Sequence, residues 1–126
     1  MPNTLQIDDS YTDGRVRLIR YKVTLSGAYV QAVRLSATGE VLNLNGATNP
    51  KNVAQALWGK DGPTRVYPLN GFGGFGVEII QGADNLHPIL KFFGTTPGTE
   101  LAAGAYAGGV TADIDTYVEA IGRVED

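Results

Sequence analysis

Apolar and polar side chains alternate along much of this chain with a repeat of two residues. The clearest run is 110–118, where Val110, Ala112, Ile114, Thr116 and Val118 fall on one side and Thr111, Asp113, Asp115 and Tyr117 on the other. Such a repeat predicts a β-strand packed on one face and wet on the other, bounded by Gly109 and Gly122. Its two aspartates suit a sheet edge, where charge discourages pairing with a foreign strand.

The same period recurs upstream. Residues 15–27 read as a strand with Tyr21, Val23 and Leu25 inward and Arg20, Lys22 and Thr24 outward. Val16 and Leu18 have the opposite parity, which predicts a β-bulge near Ile19. Residues 29–35, with Val33 and Leu35 inward, and residues 41–44 form two more predicted strands around the turn Thr38-Gly39. Residues 65–69, 75–81 and 86–93 follow, the last with Pro88 marking its start as an edge. One interval reads differently. Asn49-Pro50 has the form of an N-cap with a first-turn proline, and Val53, Ala54, Ala56 and Leu57 follow at helical spacing.

The expected fold is therefore all-β. It is an antiparallel β-sandwich of seven or eight short strands with one short helix near residues 50–57. Residues 15–126 would form this single domain. Residues 1–14 are polar, end in the turn Thr12-Asp13-Gly14, and read as an extended N-terminal arm: a short edge strand through Leu5 and Ile7, or a tail reaching a neighbour. The expected core comprises Val23, Leu25, Val33, Leu35, Leu57, Val77, Ile79, Leu90, Phe92, Val110, Ile114 and Val118.

Composition narrows the class. At 126 residues the chain can close one core, and seventeen glycines and six prolines favour many turns over long helices. With 43% apolar and 18% charged residues it is not of the disordered type. It contains no cysteine, so neither disulfides nor thiolate metal sites can form. The start of the chain lacks a leader pattern, and no run nears the roughly 20 apolar residues of a membrane span. The expected setting is a reducing cytoplasm, the alternative being a mature segment cut from a longer precursor, with no membrane partner. A net charge of −3 speaks against nucleic acid as a partner. Charge is uneven along the chain: residues 1–63 carry +2 and residues 64–126 carry −5. Arg15, Arg17, Arg20, Lys22 and Arg34 cluster, as solvated strand faces or as electrostatic matching between copies in an assembly.

Candidate chemistry adds little. Residues 71–76 spell G-x-G-x-x-G, but they lead into Val77-Glu78-Ile79-Ile80, a strand-like run and not the helix a dinucleotide site needs. Asp9, Asp13 and Gly14 hold corners of a calcium-loop pattern, yet Tyr11 takes the middle position and no glutamate closes it. His87 is the lone histidine and reads as a turn residue before Pro88. Asp113 and Asp115 lie about 6.5–7 Å apart on one strand face, spacing that could serve an acid/base pair but is commoner on a solvated strand. No catalytic, cofactor-binding or metal-binding residue is assigned. Trp58, beside the turn Gly59-Lys60-Asp61-Gly62, reads as a lid over the core or as an interface anchor. The candidate interface residues are Leu5, Ile7, Trp58, Phe72, Phe75 and Tyr106.

Residues 21–26 (Y-x-V-x-L-S), 58–62 (W-G-x-D-G), Phe93-Gly94 and Ala103-Gly104-Ala105-Tyr106 ahead of the last alternating strand occur in an order that resembles the spore-coat-U domain, shared with archaic chaperone–usher pilins. That likeness implies a pilin or coat-type subunit, although the family's cysteine pair has no counterpart here. In general type the chain more closely resembles bacteriophage head-decoration (cement) proteins and related small virion components. These are small, cysteine-free and β-rich, with extended arms and glycine-rich loops. This second resemblance implies a non-enzymatic protein without cofactor, assembled in the host cytoplasm into a virion, where it binds capsid subunits and its own copies. A carbohydrate-binding β-sandwich module is a further alternative. On this reading, removing residues 1–9 would leave a folded monomer impaired in assembly.

Overall fold

Two antiparallel sheets enclose one core in the computed structural model, which describes residues 3–25, 28–69, 76–93, 98–105 and 116–123. Nine strands occur among them: β1 (Asn3–Asp13), β2 (Val16–Leu25), β3 (Ala28–Tyr29), β4 (Glu40–Val41), β5 (Arg65–Pro68), β6 (Gly76–Ile80), β7 (Ile89–Phe93), β8 (Gly104–Ala105) and β9 (Thr116–Arg123). The larger sheet has the order β1-β2-β9-β5, and the smaller β4-β7-β6, with β3 and β8 forming a two-stranded ribbon. Leu5 and Ile7 of β1, Ile19, Tyr21, Val23 and Leu25 of β2, and Val118 and Ala120 of β9 line the inner face of the larger sheet. Leu90 and Phe92 of β7, with half-buried Val77 and Ile79 of β6, face them. Burying each large apolar side chain contributes about 1.5–3 kcal/mol, enough to hold a domain of this size without covalent staples.

The alternation is real, but several of its details fall elsewhere. β2 keeps one parity from Ile19 through Leu25, so the bulge expected near Ile19 is not there. It lies in β1 instead: Ile7 pairs with Tyr21 and Asp9 with Arg20, leaving Asp8 as the extra residue. Val16 and Leu18 alternate with Ile19 and Tyr21 because they point to the outer face of the sheet. The expected N-terminal arm is part of the sheet, for β1 pairs with β2 along its length. Its other edge is also covered: the Ile7 amide donates to the Thr48 carbonyl (2.8 Å) and the Thr48 amide to the Leu5 carbonyl (3.0 Å).

No helix forms over residues 50–57; the one helical element among the described residues is a 3-10 turn at Leu44–Gly46. Asn49 does act as a cap, but on a loop: its Oδ1 accepts from the Val53 amide and its Nδ2 donates to the Val53 carbonyl, both at 2.9 Å. Asn52 and Gln55 then take left-handed backbone, which ends any right-handed turn. Leu57 is consequently exposed, not core. The strand expected over 29–35 stops at Tyr29. The Ser36 hydroxyl donates to the Val33 carbonyl (2.6 Å) and accepts from the Thr38 amide (3.0 Å), and Leu35 adopts φ 64°. This tight turn leaves Val33 and Leu35 exposed.

β7 starts directly after Pro88 and is the central strand of its sheet, not an edge. The proline carbonyl still accepts from the Leu42 amide (2.8 Å), so Pro88 keeps one ladder bond as an acceptor. β9 likewise lies between β2 and β5. It runs through Gly122, where a side chain would collide with Pro63 and Thr64, and does not end there. Residues 110–115, including Val110, Asp113, Ile114 and Asp115, lie outside the described residues.

Candidate functional site

The outer face of the four-stranded sheet collects the side chains that the core does not use. Strand register arranges them in rows across the sheet. One row runs Tyr11–Leu18–Ile121–Arg65, from β1 through β2 and β9 to β5. The next runs Asp9–Arg20–Glu119–Tyr67. Above the first sits Asp13–Val16–Arg123, and below the second Lys22 pairs with Tyr117.

The first row is apolar over three strands. Tyr11 is 65% exposed and Val16 46%, with Leu18 and Ile121 half-buried beside them. Tyr11, Asp13, Val16, Leu18 and Ile121 line an open hollow of about 350 Å³. Exposed apolar side chains standing together on a sheet expose surface that gains free energy when covered.

The second row is polar and locked. Arg20 donates through Nε (3.1 Å) and Nη2 (2.9 Å) to Glu119 Oε1, and the Tyr67 hydroxyl donates to Glu119 Oε2 at 2.6 Å. The bond to Glu119 raises the Arg20 pKa further, and the same carboxylate, by accepting from the phenol, raises that of Tyr67. Arg65 stacks over the Tyr67 ring at 5.5 Å. Cross-strand contacts of this kind fix side-chain rotamers and so pre-set the shape of the face. Asp8, Arg20, Leu69 and Tyr117 line a second open hollow of about 420 Å³, with Asp8 held by Lys51 at 2.7 Å.

Charge is sorted across this surface. Asp9 and Asp13 stand on the β1 side, Arg65 and Arg123 on the β5 and β9 side, with the apolar row between. The excess of basic residues in the first half of the sequence therefore does not carry over to space. Arg17 bonds the Leu57 carbonyl (2.7 Å) and Arg20 is paired, while the exposed aspartates Asp9 and Asp13 belong to the first strand.

Of the residues expected at an interface, Leu5, Ile7 and Trp58 are core residues. Trp58 is only 6% exposed and its indole N–H donates to the Tyr21 hydroxyl at 2.9 Å. A ring this large is held inside because its one polar atom finds a partner there. Phe72, Phe75 and Tyr106 lie outside the described residues, as does most of the G-x-G-x-x-G run, whose last glycine opens β6. His87 sits in the turn before β7 with Nδ1 at 2.8 Å from Asp84 Oδ1, a contact that lowers the Asp84 pKa. The Ser10 hydroxyl donates to the Gln55 carbonyl and that of Ser36 to the Val33 carbonyl. No group of three or more metal-ligating side chains occurs among the described residues.

The residues that sequence reading missed are Tyr11, Val16, Leu18 and Ile121. Their signal was present: Val16 and Leu18 are apolar at outward positions of a strand whose other face is already apolar. No family model matches the chain, nor does any curated protein or solved structure.

Proposed function

We propose that this chain is a non-enzymatic structural subunit acting by contact, and that its setting is a bacteriophage virion, where it decorates and stabilises the capsid. The observation that carries the reading is the Tyr11–Leu18–Ile121 row with exposed Val16, an apolar strip on the outside of a rigid sheet. The polar groups of the second row and the hollow beside it are spent on structure. Glu119 is tied to Arg20 and Tyr67, and Asp8 is tied to Lys51. A surface of this kind suits burial against another protein better than turnover of a small molecule. Its aromatic and arginine content is that of an interface centre.

The test is fractionation of phage particles produced by the host that encodes the chain. The chain should co-sediment with intact particles in a density gradient, and Leu18→Lys should leave a folded protein that no longer does. A wild-type chain confined to the soluble fractions while particles form normally overturns the virion reading.

A further inference from the structure

We infer that two copies of this chain pair face to face through the outer surface of the four-stranded sheet, about a two-fold axis running along the strands. The inference rests on the structural reading above and names one partner for that face: a second copy.

The argument is one of self-complementarity. A two-fold interface uses the same patch twice, so the patch must match itself after the rotation. With the axis along the strands, β1 lies over β5 of the second copy and β2 over its β9. Each row then lies over itself in reverse. Tyr11 meets Arg65 of the second copy, a ring against a guanidinium. Leu18 meets its Ile121, closing the apolar strip. Asp9 lies over its Tyr67, whose one hydroxyl hydrogen is already given to Glu119, so this position adds no hydrogen bond, and Arg20 lies over its Glu119. Arg20 spends Nε and Nη2 on its own buried Glu119, but its side chain stays 44% exposed and so presents its charge to the facing copy. On β1, Asp9 and Asp13 flank the position that Arg65 of the second copy takes, and Arg123, over its Val16, lies one strand from its Asp13. The alternative two-fold, with the axis across the strands, lays β1 on β1 and sets aspartate against aspartate. Charge order alone selects between the two.

Size agrees with a modest dimer. The β2 and β9 strands overlap over eight residues and β1 and β5 over four, which at about 4.8 Å between strands and roughly 3.3 Å per residue gives on the order of 400 Å² in plan. Side-chain relief brings that towards the ~800 Å² per partner of a standard specific interface. Aligned packing at a small angle between twisted sheets keeps the central rows, where Leu18 and Ile121 lie, in closest contact.

Sedimentation velocity of the full chain over a concentration series tests this. The wild type should show a monomer–dimer equilibrium. Two charge-reversed variants, Asp9→Lys with Asp13→Lys and Arg65→Glu with Arg123→Glu, should each weaken dimerisation at least tenfold, because each sets like charges against each other. An equimolar mixture should recover a dimer, since the two variants complement each other at both ends. Circular dichroism melts confirm that both variants fold. A wild type that stays monomeric, a variant that dimerises as the wild type does, or a mixture that stays monomeric would each overturn the pairing. A monomeric wild type that still enters particles would leave the virion reading standing. A dimer that enters none would do the reverse.

Discussion

The bond between Trp58 and Tyr21 is the sharpest test of how this core is closed. Both side chains are buried, and the indole Nε1 donates to the Tyr21 hydroxyl at 2.9 Å. Tyr21→Phe keeps the ring and its packing but removes the acceptor, so the indole N–H is left in the core without a partner. An orphaned buried donor costs about 1–3 kcal/mol, against the roughly 5–15 kcal/mol that holds a typical domain folded. Trp58→Phe strips the donor, strands the hydroxyl and adds a void, and should cost more. When both are replaced the orphan disappears. The double variant should therefore be more stable than the two single losses added together, by about 0.5–3 kcal/mol. Urea unfolding measures this: fluorescence of Trp58, the one tryptophan, serves the first variant, and far-UV circular dichroism serves all three. The slope against urea should stay constant while the midpoint moves. Tyr21→Phe within about 0.5 kcal/mol of wild type, the range of an ordinary surface substitution, would refute the reasoning, as would strict additivity in the double variant.

Three further outcomes follow from the same geometry. Removing residues 1–9 deletes Leu5 and Ile7 from the core, a loss of about 3–6 kcal/mol in burial alone, so the truncated chain should be unfolded by circular dichroism; a cooperative melt near the wild-type temperature would restore the arm reading. Burial holds the Tyr21 and Tyr29 hydroxyls above the ordinary phenol value of about 10, with Glu100 adding to the effect at Tyr29. The unfolded chain then gives up these protons first: stability is intact below about pH 10 and falls above it, by up to about 1.4 kcal/mol per pH unit for each tyrosine, a slope that Tyr21→Phe or Tyr29→Phe should reduce in urea titrations at alkaline pH. Gly122→Ala would set a methyl 2.8 Å from Pro63 Cα and the Thr64 amide nitrogen, where the chain enters β5, and should cost about 1–3 kcal/mol in a thermal melt; an unchanged midpoint would mean that β5 does not close against β9 there.

Some of this molecule can be read directly from residue order. Ile19 through Leu25, Val77 with Ile79, and Leu90 with Phe92 alternate cleanly because a pleated strand turns successive side chains to opposite faces. The helical spacing at 50–57 spans only two turns and forms no helix. A nucleus that short is marginal in isolation, and the Asn49 side chain offers the backbone a competing set of bonds. Val33 and Leu35 are suitable strand residues whose fate is decided by the Ser36 turn and by the Leu35 amide bonding Gln81 far along the chain (2.8 Å). Nothing local in the sequence places Tyr11 beside Ile121; the pairing of β1, β2 and β9 does.

Periodicity fixes which residues share a face, because that depends only on dihedral geometry within one strand. It therefore carries the all-β class and much of the core. It cannot tell which of two apolar faces turns inward when, as in β2, both are available. That choice belongs to strand order: β2 lies between β1 and β9, and the partners of Arg20 and Leu18 stand about a hundred residues away in sequence. The candidate interface is built from such distant pairings, so it exists only once the sheet has formed.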